Sequence, residues 1–343
     1  SAAAHAKVPA MRLAIADATL DDPPDAPARP IEQLATAVAD AEELHVATDY
    51  AAAGELLPGL LEELHVAAAV GDEKSRQEAL ALLVRACYSA GVVLRYLGYP
   101  DLALLTAQRA AEAAARVPDD PVTVGFAAWT RAWAIAPPTG RRRALSIARR
   151  GLDELDGHLG SSADRRVWPV YGMLHLVAAF TSGVWDRDDL VAEHLRAAEQ
   201  LAARTGETRD LTLFFGPTNV AAWRVAIAVE RGEGGRVLEL AADIHPEVMA
   251  SPSRQGAYWT DIGRGLATIR GREGEAEAAL RRADEIAPQR FRSDPAARDT
   301  VDHMYTTARR RAVSRDLQCL ANRFSLGNHR GYQPAGSKYL DRR

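Results

Sequence analysis

Long runs of strong helix-forming residues, interrupted at short intervals by glycine or proline, dominate this sequence. Ala, Leu, Glu and Arg fill the runs, and strictly alternating β-branched stretches are nearly absent. Over residues 77–97, apolar side chains recur every three or four positions and therefore share one face of a helix. The breakers leave segments of roughly 12–22 residues between them. The pattern predicts an all-α chain of about a dozen helices.

Two of the glycines anchor the same spacing of small residues. The positions 5, 9, 12 and 17 residues after Gly271 are Ala276, Leu280, Ala283 and Pro288. The same offsets from Gly98 give Ala103, Ala107, Ala110 and Ala115, with Pro118 three residues further on. Antiparallel helices approach closely only where the crossing residues are small, and the turn needs a residue that tolerates positive φ. This spacing is similar to the second half of a tetratricopeptide repeat. It predicts a helical-hairpin solenoid wound as a right-handed superhelix, with an irregular helical bundle as the alternative.

The chain divides into three segments by composition. Residues 21–30 are rich in Pro and Asp and cannot form a helix. We therefore expect residues 1–30 to hold an N-terminal helix and a linker, and residues 31–326 to form the helical repeat domain. Residues 327–343 are predicted to be a loose C-terminal tail.

The composition excludes several classes of protein. Of the 343 residues, 47% are hydrophobic and the net charge is −4, which excludes a wholly disordered chain. Cys87 and Cys319 stand far apart, so a disulfide scaffold is excluded. No apolar run approaches the ~20 residues of a membrane helix, and we see no secretory signal. We expect a cytoplasmic protein without a membrane segment. Because it lacks an initiator Met, we also expect the chain to begin part-way into a longer gene product.

Charge is unevenly distributed along the chain. Residues 1–80 carry 5 basic and 15 acidic side chains, whereas residues 289–343 carry 12 basic and 5 acidic ones. The basic end includes Arg309, Arg310 and Arg311. It is either a surface for phosphate or acidic groups or an arginine-rich helix face exposed to solvent.

The sequence shows no motif of a known catalytic site. A phosphate-binding Gly-Lys loop is absent, and the glycine-rich stretches follow helical patterns rather than strands. The nine histidines are scattered without the spacing of metal ligands, and no nucleophile elbow occurs. We therefore expect a protein that is not an enzyme and needs neither a metal nor another cofactor.

The aromatic residues concentrate in the middle of the chain, which favours a binding surface there. Trp168, Tyr171 and His175 lie three or four residues apart and share a helical stripe, as do Asn219 and Trp223. Asn219 can bind a peptide backbone or instead cap the helix after Pro217. The predicted ligand-binding residues are Asn219, Trp223, Trp168, Tyr171, His175, Phe215, Trp129 and Tyr258. Helix–helix packing is the alternative role for the aromatic side chains.

Four segments in a fixed order carry a resemblance to a known family. They are LLPGLL at residues 56–61, GVVLRYLGYPDLA at 91–103, FGPTNV at 215–220 and SPSR at 251–254, the last followed by the repeat anchored at Gly271. Together they resemble the tetratricopeptide-like C-terminal region of actinobacterial XRE-type transcriptional regulators. The resemblance covers roughly residues 31–326, which is most of the chain.

The resemblance implies a region that binds an effector or forms a dimer next to an N-terminal helix-turn-helix domain. Too few residues precede residue 31 for such a domain, so direct nucleic-acid contact by this chain is not expected, and the tail after residue 326 goes beyond the family pattern. We expect a peptide or small-molecule effector, or a protein partner, to bind the concave face, with a homodimer as a further expectation. The alternatives are a protein–protein interaction scaffold without a small ligand and, last, an enzyme on a helical scaffold.

Overall fold

The helix-forming runs of the sequence become helices in the structure. A computed structural model describes residues 2–136, 140–160, 164–183, 187–308 and 313–326 of the chain. The described residues are 77% helical, and no strand occurs among them. The prediction of an all-α chain is therefore confirmed.

The α-helices follow one another along the chain. They are α1 Ala2–His5, α2 Val8–Asp17, α3 Ile31–Val46, α4 Tyr50–Ala69, α5 Glu73–Tyr96, α6 Pro100–Ala114, α7 Pro121–Ile135, α8 Arg141–Asp156, α9 Val167–Ser182, α10 Asp188–Thr205, α11 Pro217–Glu230, α12 Val237–Ala241, α13 Pro252–Ala267, α14 Glu273–Ile286, α15 Pro288–Phe291, α16 Pro295–Ala308 and α17 Arg315–Arg323. They outnumber the predicted dozen because the sequence pattern does not reveal helices as short as α1, α12 and α15.

Side-chain caps begin several of the helices. The carboxylates of Asp49, Asp72 and Asp120 accept hydrogen bonds from backbone N–H groups in the first turns of α4, α5 and α7. Ser251 and Ser314 cap α13 and α17 in the same way. Each cap satisfies a helix N–H group that would otherwise lack a partner and contributes about 1 kcal/mol.

The turn at Gly98 joins the closely packed helices α5 and α6. Gly98 has φ of 91°, a conformation that side chains with a Cβ atom rarely adopt. A Cβ atom at Gly91 would lie 2.8 Å from the Thr106 hydroxyl, so α5 and α6 approach closely there. Ala103 and Ala107 are buried at the same interface.

The second glycine that begins the repeated spacing, Gly271, forms the turn between α13 and α14. Its φ is 86°, and the small residues that follow it are buried on α14. A Cβ atom at Gly263 would lie 2.6 Å from the Leu280 side chain. Both predicted anchors therefore mark turns between tightly packed neighbouring helices.

Two sets of contacts order the helices in space. Consecutive helices from α3 to α11 pack side by side. Alternate helices also touch, α3 with α5, α5 with α7, α7 with α9, α9 with α11 and α11 with α13. Helices α3, α5, α7, α9, α11 and α13 therefore form a layer of their own, which we call the odd-helix layer.

The regular order of helices is interrupted between α10 and α13. Residues 206–216 form a long connection, which we call the α10–α11 loop, and α12 has only five residues. The buried apolar side chains fall into two main clusters, one extending to Val220 and one beginning at Val225. Helix α11 therefore links two parts of the hydrophobic core.

The N-terminal segment packs onto the rest of the chain. Helix α2 contacts α4 and α6, and its Met11 and Ile15 are buried in the first core cluster. Arg109 of α6 donates a hydrogen bond to the carbonyl of Ile15 at 3.1 Å. The expected boundary at residue 30 therefore does not separate two cores, because α2 buries its apolar face against the helical array. The predicted tail, residues 327–343, lies outside the described residues.

Within the part of the chain that the structure describes, one helix combines the length and the apolar composition of a membrane span. Helix α5 meets both criteria, but 78% of its most apolar window is buried inside the protein. This burial is typical of a core helix, and it is compatible with a soluble protein.

Candidate functional site

A groove of about 290 Å³ runs across three helices of the odd-helix layer. We call it the odd-helix groove. Its apolar lining comes from α3, α5 and α7. We call residues 211 and 212 the tip of the α10–α11 loop, and its Leu211 closes one side of the groove. The lining includes Ala35, Ala81, Leu82, Val122, Phe126 and Leu211. Polar groups such as Thr123, Arg85 and Arg166 are also present, so the groove offers both apolar contact and hydrogen bonding.

The α10–α11 loop has an unusual backbone. Leu211, Thr212 and Phe214 have φ of 51°, 55° and 50°, in the left-handed region. For residues with a Cβ atom this conformation costs roughly 1–2 kcal/mol each. Such strain persists only where the surroundings hold the chain in place, and it concentrates at functional sites.

Asn219 holds the C-terminal half of this loop. Its side-chain amide donates hydrogen bonds to the carbonyls of Phe214 at 2.9 Å and Leu213 at 3.3 Å, and the residue is 1% exposed. The first turn of α11 is capped instead by Glu207, which accepts from the Thr218 N–H at 2.8 Å. Asn219 therefore neither caps the helix nor faces an open surface, and its side-chain amide is engaged by the loop.

A second cavity lies on the other side of the loop tip. It measures about 20 Å³, room for roughly one water molecule, and we call it the arginine cavity. Its lining joins α3 and α5 to α13 and α15 across the odd-helix layer. The lining residues are His45, Val46, Tyr88, Val92, Tyr96, Trp133, Thr212, Phe214, Ser251, Ser253, Arg254 and Arg290.

Three half-buried arginines surround Tyr96 at this cavity. The guanidinium carbon of Arg290 lies 4.0 Å from the centre of the Tyr96 ring, and that of Arg95 lies 4.1 Å from the centre of the Trp133 ring. Arg254 lies over Trp223 at 5.7 Å. Cations over aromatic rings are attracted by the ring quadrupole, by about 2 kcal/mol when desolvated. The aromatic groups thus help to keep three like charges together.

The aromatic wall behind the arginines is continuous. Tyr88 makes edge contacts with Phe126, Trp129 and Trp133 at centroid distances of 5.1–6.1 Å. Phe126 also lines the odd-helix groove, and Trp133 reaches Tyr96 at 6.0 Å. The same cluster of rings therefore supports both cavities.

The charges of the arginines dominate the electrostatics of Tyr96. Burial alone raises the pKa of a phenol, but Arg290, Arg95 and Arg254 outweigh it and hold the pKa of Tyr96 below its ordinary value of 10.0. The pKa of Tyr50, farther inside, is raised because burial dominates there. Its hydroxyl lies near that of Ser253 without reaching hydrogen-bond geometry. The local potential around Tyr96 is thus strongly positive.

The predicted stripe on α9 faces the even-numbered helices rather than the groove. Tyr171 donates to Asp156 of α8 at 3.2 Å, and Arg204 of α10 lies over Trp168 at 4.5 Å. His175 contacts His194 of α10, with 2.9 Å between their Nδ1 atoms. Burial, followed by the effect of His194, lowers the pKa of His175 to about 4. These side chains lie between α9 and its neighbours α8 and α10.

The remaining predicted residues differ in accessibility. Trp129 and Phe215 are fully buried, and Tyr258 is buried against Trp259. They serve packing and are not open to a ligand in this structure. Trp223 is half-buried and lies beside Arg254, which lines the arginine cavity.

A larger surface pocket of about 360 Å³ lies between α10, α11 and α12. Its charges pair with one another: Arg231 with Asp188, Glu199 with Arg224 and Glu233 with Arg236. Because these pairs are mostly solvent-exposed and self-neutralising, the pocket is a weaker candidate for ligand recognition.

The described residues contain no group of three or more His, Cys, Asp or Glu side chains that could hold a metal ion. The three consecutive arginines of the basic C-terminal region, 309–311, lie outside the described residues. Whether that region forms a surface for phosphate or acidic groups therefore stays a prediction.

The sequence did not predict the arginine cavity, although several of its residues belong to segments that carry the family resemblance. Arg95 and Tyr96 belong to the segment at 91–103, and Arg254 belongs to the segment at 251–254. The structure brings these two segments together with Arg290 at one cavity. Comparison of the chain with protein-family models, with curated proteins and with solved structures finds no significant match.

Proposed function

We propose that this chain is the effector-sensing region of a transcriptional regulator, built as a tetratricopeptide-like solenoid. It would be similar to the C-terminal region of actinobacterial XRE-type regulators and would act in the cytoplasm. A peptide or small-molecule signal binds the inner face of a right-handed superhelix. DNA is contacted by a separate helix-turn-helix domain rather than by this chain, and the protein forms a homodimer.

One observation carries the proposal: the odd-helix groove and the arginine cavity lie side by side on the same layer of helices. In a solenoid of helical hairpins, the first helix of each hairpin lines the inner face. The contacts between alternate helices from α3 to α13 are those expected of such a layer. An accessible groove with a few polar groups on that layer is a suitable site for a signal.

Contacts across the layer suggest how binding would be transmitted. Arg290 of α15 touches Tyr96 at the end of α5, so distant parts of the chain meet at the arginine cavity. A ligand held there favours the arrangement of helices that it contacts best. The resulting change in curvature or dimer geometry shifts the population of the DNA-binding state.

A protein–protein interaction scaffold is the second candidate function. It is favoured by the burial of Trp129, Phe215 and Tyr258, three of the aromatic residues expected at a ligand site. A scaffold would use its surface for a partner and would leave the groove empty.

A thermal-shift screen tests the proposal. The purified protein is mixed with fractions of cell extract and culture medium, separated into peptides and small metabolites. We expect at least one fraction to raise Tm by several degrees, because a ligand at 100 times its Kd stabilises the folded state by about 2.7 kcal/mol.

Two variants test whether the ligand binds in the odd-helix groove. Ala81→Trp fills the odd-helix groove and should abolish the shift, whereas Ala10→Trp, on the exposed face of α2, should retain it. A shift that persists in Ala81→Trp, or the absence of any active fraction, would favour the scaffold.

A further inference from the structure

Arg254 and Arg290 line the arginine cavity, and Arg95 lies against the ring of Trp133, which also lines it. Among the described residues, no Asp or Glu oxygen lies within 4 Å of the guanidinium nitrogens of Arg95, Arg254 or Arg290. Arg290 donates to the Ser253 hydroxyl at 2.9 Å, and Arg95 donates to the Trp133 carbonyl. Arg254 makes no side-chain hydrogen bond to any described residue.

Asp294 is the acidic group that acts on this cluster from farther away. It influences Arg95 and Arg290 electrostatically, while its own carboxylate accepts hydrogen bonds from the N–H groups of Ala296 and Ala297. This distant carboxylate acts on two of the three guanidinium charges. The cluster therefore keeps a net positive charge in a partly desolvated place, where electrostatic interactions are stronger than in water.

The tip of the α10–α11 loop separates the arginine cavity from the odd-helix groove. Leu211 lines the groove, and Thr212 lines the cavity. Backbone hydrogen bonds within the loop shape the tip, with the Thr212 N–H donating to the Arg209 carbonyl at 3.0 Å. The side-chain contacts from this part of the loop to α3 are long: Thr212 Oγ1 lies 3.4 Å from His45 Nε2, and the exposed Arg209 lies 3.4 Å from Glu43. By contrast, Asn219 fixes the following residues through Leu213 and Phe214. The Thr212–His45 contact between the tip and α3 is thus longer than the 2.9 Å bond from Asn219 to Phe214, so it opposes displacement less than that bond does.

We propose that Arg95, Arg254 and Arg290 bind an anionic group, a carboxylate or a phosphate, at one end of a ligand whose body lies in the odd-helix groove. The proposal deepens the function proposed above and rests on it. Guanidinium groups recognise planar carboxylates and phosphates through paired N–H donors. Displacement of the loop tip would join the cavity to the groove, because the cavity alone has room for about one water molecule.

The geometry also sets the kind of ligand. The walls beside the arginines are the rings of Tyr88, Tyr96 and Trp133. Flat apolar groups stack well on such rings. The preferred ligand therefore combines an aromatic or other apolar portion with a terminal anion.

Binding of small aromatic anions tests this assignment. Benzoate carries a carboxylate and phenyl phosphate carries a phosphate, and benzyl alcohol is the neutral control. Titrations follow the heat of binding and the tryptophan fluorescence, since Trp133 lines the cavity. We expect one or both anions to bind, with affinity that falls as salt is added, and benzyl alcohol to bind at least tenfold more weakly. Their relative affinities identify the preferred anion.

Variants of the arginines separate charge recognition from folding. Arg254→Gln should weaken anion binding by at least about tenfold without unfolding the protein, because its guanidinium makes no hydrogen bond to the described residues. Arg290→Lys, which keeps the charge, should retain more binding than Arg290→Gln. The exposed Arg270 provides the matched control, and Arg270→Gln should bind like the wild type. Equal binding of the alcohol and the anions, or no effect of Arg254→Gln, would overturn the assignment.

The results of the anion titrations can be distinguished from those of the thermal-shift screen with extract fractions. A fraction whose effect is lost in Ala81→Trp but unchanged in Arg254→Gln supports the sensor function and overturns the anion site. Anion binding that depends on Arg254, together with no active fraction, supports the anion site and counts against the sensor function.

Discussion

The guanidinium carbon of Arg290 lies 4.0 Å from the centre of the Tyr96 ring, and this contact joins α15 to the end of α5. The two residues are far apart in the sequence. Their pairing places a positive charge beside a phenol at the arginine cavity. The acidity of Tyr96 therefore reports directly on whether this arrangement forms.

Arg290→Gln should raise the pKa of Tyr96. Burial pushes that pKa upward and the three arginines pull it downward, with Arg290 the largest of them. When the Arg290 charge is removed, less opposes the effect of burial, and the pKa of Tyr96 rises. Spectrophotometric titration of tyrosinate absorbance should show one group below the ordinary pKa of 10.0 in the wild type, and that group should move upward in the variant.

Assignment of the titrating group needs a second variant. Tyr96→Phe should remove the low-pKa step, and Arg270→Gln should leave it in place. If the step survives Tyr96→Phe, another tyrosine is responsible, and the description of the cavity's potential is wrong.

Gly172→Ala should destabilise the protein by about 1–3 kcal/mol. A Cβ atom at this position would overlap the ring of Phe215, which is fully buried and cannot move aside without disturbing the α10–α11 loop. The free energy of unfolding is measured by urea denaturation. Gly59→Ala is the matched control, because Gly59 is exposed in α4 with open space around its Cβ position.

The two glycines should give effects of opposite sign. Gly59→Ala should stabilise the protein by about 0.5–1 kcal/mol, since alanine loses less backbone entropy than glycine in a helix. Equal effects at the two positions would show that helix propensity, rather than contact with Phe215, controls Gly172.

Asn219→Ala should loosen the α10–α11 loop and lower stability. The substitution leaves the buried carbonyls of Leu213 and Phe214 without their donor, at a cost of about 1–3 kcal/mol. Amide hydrogen exchange should become faster over residues 206–216, while exchange in α5 and α6 stays close to that of the wild type. Unchanged exchange in the loop would contradict the structural role of Asn219.

Local sequence determined much of the fold, and for that reason it could be predicted. The helices and the turns at Gly98 and Gly271 depend on neighbouring residues, so periodicity and a tolerance for positive φ were enough to identify them. The α10–α11 loop carried no such signal. Leu211, Thr212 and Phe214 adopt positive φ without being glycine, because tertiary contacts rather than local preference hold them there.

The candidate site was harder to predict for a related reason. Trp129 and Phe215 were singled out as aromatic residues, but residue type alone does not tell a buried ring from one that lines a groove. The arginine cavity depends on contacts between α5, α13 and α15. A single sequence does not reveal which arginine of a basic chain will meet which aromatic ring.

Stability should fall in acid, and His45 should account for a defined part of the loss. His45 is 3% exposed between α3 and α5, with Nδ1 3.0 Å from the Ser89 hydroxyl, and burial lowers its pKa to about 3. In the unfolded chain the pKa of histidine is about 6.5. Between these values the unfolded chain binds a proton that the folded protein does not, so stability decreases as pH falls below about 6.5. At pH 5 this residue alone should cost about 2 kcal/mol.

The contribution of His45 can be isolated from that of other histidines with lowered pKa values. His45→Gln keeps a polar group beside Ser89 but cannot be protonated, so its urea midpoint should change less between pH 7 and pH 5 than that of the wild type. His158→Gln, at an exposed position just after α8, should follow the wild type. If His45→Gln and the wild type lose the same stability over this range, His45 is already protonated in the folded protein, and its surroundings are more open than the packing between α3 and α5 indicates.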